Sequence, residues 1–230
     1  MTAQSLLDQL LKTGMTAVNE ARGAVQGARD SGDLDKYAKG AAAGGVLALL
    51  LGTRGGRRIG GSALKIGSMA ALGMLAWKTY QDWQAQQAPA APSAATSVPT
   101  GMPISAPPAL SAPQAEAHDR VLLKAMIAAA KSDGHLDERE RGLVETELRR
   151  TEADASLRAW FEAELRRPLE PADVAAGATT PELAAEVYLT SLLVVDETST
   201  MERAYLDALA RELRLDAGLK AQLESRAGVG

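Results

Sequence analysis

Apolar positions recur along this chain at helical spacing, in blocks of differing character. Residues 4–29 set Leu7, Leu10, Leu11, Met15, Val18 and Val25 against Gln9, Lys12, Asn19, Arg22 and Gln26 on the opposite side. That pattern predicts an amphipathic helix, stopped by Asp30-Ser31-Gly32-Asp33. Such a face suits packing on another protein helix, and it equally suits the interface of a bilayer.

The next block is richer in glycine and poorer in charge. Residues 41–53 carry no charged group, Arg54-Gly55-Gly56-Arg57-Arg58 interrupts, and an apolar run then extends from 59 to 77 with Lys65 inside it. The first run is short of the roughly 20 residues a spanning helix requires, and the second approaches that length. Trp77, Tyr80 and Trp83 with Lys78 read as an interfacial aromatic belt with a basic anchor. Gly40, Gly44, Gly52, Gly56 and Gly60 fall at multiples of four, a spacing that lets membrane helices approach closely. A glycine-rich membrane segment over 40–88 follows, with membrane lipid and self-association through glycine faces as its expected contacts. Its topology stays open. Cytoplasmic arginines at 54–58 and a single span at 59–77 put the two chain ends on opposite sides, whereas a hairpin returns them to one side.

Residues 89–113 have no charge and much proline, alanine and serine, which predicts an extended, disordered linker between 1–88 and 114–230. Beyond it the helical period becomes regular. Val121, Leu122, Ala125, Met126 and Ala129 share a face of a helix ending near Gly134. Residues 137–150 open with acids and close with arginines, in keeping with a helix dipole. A third helix over about 154–166 carries Leu157, Trp160, Phe161 and Leu165. Thr180 is placed to cap a helix whose first residue is Pro181, another helix covers 200–214, and Asp216 caps the last. Tyr188, Leu192, Leu193 and Trp160 are expected in the core. No stretch alternates with period two, so the fold class is all-α: a compact multi-helix C-terminal domain behind a glycine-rich helical membrane region. The organisation is 1–39 amphipathic helix, 40–88 membrane segment, 89–113 linker and 114–230 helical domain.

Charge narrows the partners. The net −4 conceals five basic groups against Asp82 alone in 40–88, and a balance of −8 in 114–230. Nucleic acid is disfavoured, because its binders present a basic face, and eight aromatic residues are few for base stacking. With no cysteine, disulfides, thiolate metal sites and cysteine nucleophiles are excluded. Phosphate loops, zinc-spaced His-Glu pairs and nucleophile elbows are absent from the sequence, so no enzyme is expected and no catalytic residue is assigned.

A weak internal repeat remains: apolar helix, acidic turn, Glu-Arg, amphipathic helix, with Glu140-Arg141 matching Glu202-Arg203. In the first turn Asp133, Gly134, Leu136 and Glu140 match positions 5, 6, 8 and 12 of an EF-hand loop. Ala129 and Lys131 would then occupy positions 1 and 3, which excludes a standard EF-hand. A divalent-cation site needs the second turn, with Asp196, Glu197 and Glu202, to supply carboxylates in space. The plainer reading has the acids stabilising helix starts and pairing with Arg141, Arg203 or Arg211, and His118 and His135 exposed.

The segment AAAKSDGHLDERE, with the later ELAAEVYLTSLLVVDETSTMERAYLDALARELRL, resembles the TerB-like (tellurite-resistance) family. With the glycine-rich segment ahead of it, the chain is similar to bacterial inner-membrane proteins of the YebE type. The resemblance implies an all-helical domain whose acidic residues bind metal, in members linked to tellurite or chemical stress. The matching residues are Asp133, Asp137, Glu140, Asp196 and Glu202, while Thr198, Ser199 and Thr200 depart from an acidic pattern. The expected function is a membrane-anchored, non-enzymatic interaction module of the inner membrane that meets a protein partner through its C-terminal helices. The alternative is a soluble protein that binds or senses a divalent cation.

Overall fold

The most apolar part of the C-terminal half becomes the central helix. The computed structural model describes residues 3, 7–8, 69–87, 110–134, 154–195 and 200–227. Among the described residues seven helices follow in chain order: α1 Met69–Gln87, α2 Ala112–Ala130, α3 Ala155–Arg166, α4 Pro171–Ala175, α5 Pro181–Val194, α6 Thr200–Glu212 and α7 Ala217–Ala227. No strand occurs among the described residues, in keeping with an all-α class. Every residue of α5 from Ala184 to Leu192 is buried. A helix without a polar face has to be surrounded, and α1, α2, α6 and α7 all pack on it.

Local chemistry sets the helix starts. Asp154 caps α3 through a 2.8 Å bond from Leu157 N–H, and Thr180 caps α5 through a 3.2 Å bond from Leu183 N–H, with Pro181 next. Asp216 takes the Lys220 N–H on its carbonyl and the Gly218 N–H on its side chain, which starts α7. At α2 the Gln114 side chain reaches back 3.0 Å to Ser111 N–H. Tyr188 and Leu192 are buried as expected, and Trp160 and Leu193 pack partly buried against the core. The short α4 had no signal beyond Pro171, and it buries Val174 between α2 and α6. The helix expected over 137–150 lies outside the described residues.

The structure corrects the reading of residues 69–87. Residues 40–68 lie outside the described residues, but α1, read as the end of a membrane segment, is a core helix of the domain. Leu72, Ala76, Thr79 and Tyr80 are buried and Trp83 is half-buried, so the apolar stripe faces α5 and α7 while Met74 and Lys78 face out. The expected belt is a helix interface. Tyr80 and Trp83 lie ring against ring at 5.8 Å, and Lys78 pairs with Asp82 one turn on. No helix among the described residues is long and apolar enough to cross a membrane. Polar residues from Lys78 onward explain why: they end the apolar run and furnish the contacts to α7.

The chain start meets the same core. Residues 3, 7 and 8 are helical, Ala3 and Leu7 are fully buried, and Ala3 N–H donates to Glu116 Oε2 at 3.3 Å. Of the two readings of the N-terminal helix, packing on protein is the one these residues adopt. Leu10, Leu11, Met15, Val18 and Val25 lie outside the described residues.

Candidate functional site

The expected site is an acidic turn, and its backbone is built for a sharp bend. After α2 the chain turns through Lys131, Ser132 and Asp133 to Gly134, whose φ of 72° is a left-handed conformation that favours glycine. Buried Ser132 donates to the Ala129 carbonyl at 2.6 Å, and Gly134 N–H reaches the Lys131 carbonyl at 3.0 Å. A side chain at Gly134 would begin 3.3 Å from the Met201 methyl at the start of α6. The first turn therefore abuts the first turn of α6, where Glu202 is buried. Of the five expected ligands, the structure describes Asp133 and Glu202. Asp137, Glu140 and Asp196 lie outside the described residues, as does His135. Among the described residues no three His, Asp or Glu are grouped to hold a metal ion.

A second polar cluster had no signal in the spacing. His118 was expected on the surface, yet it lies on α2 with its side chain 24% exposed, and its Nε2 sits 3.0 Å from Glu186 Oε2 on α5. The Glu186 carboxylate lies against α1 at Gly73, where an added Cβ would fall 2.9 Å from Oε1. Three helices thus meet at one partly buried ion pair, and a side chain at Gly73 would require the Glu186 carboxylate to shift. The bond to Glu186 holds His118 protonated above its ordinary range, against burial. Burial pushes Asp119 up to about 6, helped by the negative charges of Glu116, Asp8 and Glu186 and opposed by His118.

Other charged groups hold the helices together. Trp83 Nε1 donates to Asp216 Oδ1 at 3.2 Å, Arg226 pairs with Asp82 at 2.5 Å, and Gln222 bonds Gln86 at 3.1 Å, so α7 clasps the far end of α1. The Arg226 guanidinium draws the Asp82 carboxyl below its usual range. Between α2 and α3, Lys131 donates to the carbonyls of Glu164 and Arg167 at the end of α3, and Arg167 bridges Glu164 and Asp173. These residues line a cleft of about 20 Å³, room for little more than a water. The Thr190 hydroxyl is buried with no hydrogen-bond partner among the described residues.

Residues 36–227 match the family described as "Protein of unknown function (DUF533)". The match takes in the glycine-rich segment, α1 and the domain together. A protein of Yersinia enterocolitica described as "Uncharacterized protein in ampR 5'region" is 31% identical over 103 residues, covering 45% of this chain and 74% of that one. No solved structure matches. With its family model spanning most of its length, the chain belongs to the DUF533 family, a TerB-like family of helical domains.

Proposed function

We propose that this protein is a non-enzymatic TerB-like interaction module held at the bacterial inner membrane by residues 40–68. The observation that carries the reading is α1: it continues directly from the apolar segment and is clasped by α5 and α7. Whatever holds residues 40–68 is therefore joined in sequence to a core helix of the domain. The charge-free run at 41–53 and the glycines at every fourth position suit an apolar surroundings. On the domain, Lys131, Glu164, Arg167 and Asp173 engage one another and helix ends, which leaves the module's outer helical surface to meet a protein partner.

The test keeps α1 intact. Full-length protein and a variant carrying Leu47→Asp, Leu49→Asp and Leu50→Asp are fractionated, and the membranes washed with carbonate. The parent stays in the washed membrane and the variant is released with unchanged helicity. Release of both overturns the anchored reading.

One observation favours a second reading. Gly134 lies close to Met201 at the start of α6, the neighbourhood in which a shared divalent-cation site would draw on Asp133 and Glu202. Asp133 and Glu202 would supply two of its oxygens. Calcium, magnesium, manganese or zinc then raises the melting temperature of the parent and leaves the Asp133→Asn, Glu202→Gln variant unmoved. A parent indifferent to all four excludes it.

A further inference from the structure

The two ends of α1 are held by different chemistry. At the carboxyl end Asp82 meets Arg226, Trp83 meets Asp216 and Gln86 meets Gln222, contacts in which no histidine takes part. Nearer the amino end Gly73 lies against the Glu186 carboxylate of α5, where an added Cβ would fall 2.9 Å from Oε1. The other oxygen of that carboxylate stands 3.0 Å from His118 Nε2 on α2. The Glu186 side chain is 11% exposed and that of His118 24%, so solvent screens the pair weakly.

The charged groups around the pair can be named among the described residues. On α2, Asp119 adjoins His118, while Glu116 and Arg120 pair with each other. On α5, Glu182 stands one turn before Glu186. On α1, Gly73 brings no charge and Lys78 is paired with Asp82. On α7, Lys220 pairs with Glu224 and Arg226 with Asp82. Asp8 of the N-terminal segment acts on Asp119 and has a contact of its own. The bond to Glu186 holds the proton on His118 above the ordinary histidine range; burial opposes this, and the charges of Glu186 and Asp119 add to it.

We propose that the His118–Glu186 pair is a clamp on the amino end of α1 that protons tighten and mild alkali loosens. With His118 charged, the pair is neutral and the Glu186 carboxylate is fixed between α2 and α1. When the proton leaves, a neutral N–H at best faces the carboxylate, and one negative charge is left where little water reaches. Hydrating that charge means opening the contact that covers it. At Gly73 α1 has no side chain with which to bar water, so this contact opens first, while the carboxyl end keeps its own bonds. On the anchored reading the end that moves adjoins residues 40–68, but the clamp stands without that reading.

Hydrogen exchange of the full chain, expressed as protection relative to the intrinsic rate at each pH, reads the two ends of α1 separately. Between about pH 5.5 and about pH 8.5, protection of the amides at 73–77 falls about tenfold or more, and that at 82–87 holds. Glu186→Gln, which offers the His118 N–H an uncharged acceptor, abolishes the fall. Asp119→Asn keeps it, because the charge lost is that of His118. His118→Gln is loose at the amino end at both pH values; if it does not fold, the other two variants still decide. A parent with constant protection overturns the clamp, and so does a fall shared equally by both ends. A fall that survives Glu186→Gln, or vanishes in Asp119→Asn, overturns it as well.

Discussion

Trp83 on α1 donates its indole proton to Asp216, the residue that starts α7, and the two are 133 positions apart in the chain. One carboxylate oxygen thus serves both the backbone at Gly218 and the helix that precedes the proline-rich stretch. Asp216→Ala removes a helix cap and an interhelical bond together. A loss of about 1–2 kcal/mol is expected in denaturant titration, with Trp83 fluorescence moving in the same variant.

Leu72 is 1% exposed where α1 meets α5. Leu72→Ala should lower stability by about 2–4 kcal/mol, read from the urea midpoint. A chain starting at residue 69 should fold, and one starting at residue 89 should melt far lower or not cooperatively. Equal melting of the two would mean that α1 contributes nothing to the core.

Thr190 carries a buried hydroxyl without a partner among the described residues. Thr190→Val keeps the shape and removes the unsatisfied group, so the variant should be as stable as the parent or more so by about 1 kcal/mol. Marked destabilisation in thermal melts would reveal a hydrogen bond to Thr190.

Stability should decline from mild acid to mild alkali. Asp119, at about 6 in the fold against 3.8 as a free carboxyl, favours the folded state while protonated, and that gain is lost as the pH rises through this interval. His118, raised above 6.5, contributes fully below that value, and its share is lost as the pH climbs through its elevated range. Asp119 keeps much solvent contact, so screening reduces its part to on the order of 1 kcal/mol. Melting temperatures of the parent and Asp119→Asn across this range should converge in acid and separate in alkali.

Gly134→Ala places a β-carbon on a left-handed backbone and against the Met201 methyl. A cost of about 1 kcal/mol or more is expected, measured by chemical unfolding, and Gly134→Asn should cost less.

Most helices of the C-terminal half could be read from caps and spacing, because Asp154, Thr180 with Pro181, and Asp216 act within a turn of their own position. The assignment of α1 failed for the opposite reason. Its stripe of Leu72, Ala76, Tyr80 and Trp83 is as apolar as an interfacial helix needs, and only the distant α5 and α7 reveal that protein covers it. The His118–Glu186 pair was equally hidden, since its partners are 68 positions apart in sequence and Gly73 makes the room. For the acidic turns, the repeat pointed to their pairing; Gly134 lies close to Met201 at the start of α6, and residues 196–199 of the second turn lie outside the described residues.

The clasp of α7 on α1 also bears on synthesis. Residues 69–87 leave the ribosome roughly 100 residues before the helices that cover them, an interval of on the order of 5–20 s at common elongation rates. Throughout that time neither α5 nor α7 is there to cover Leu72, Ala76 and Tyr80. The last helix to be made is therefore one of those that close over α1.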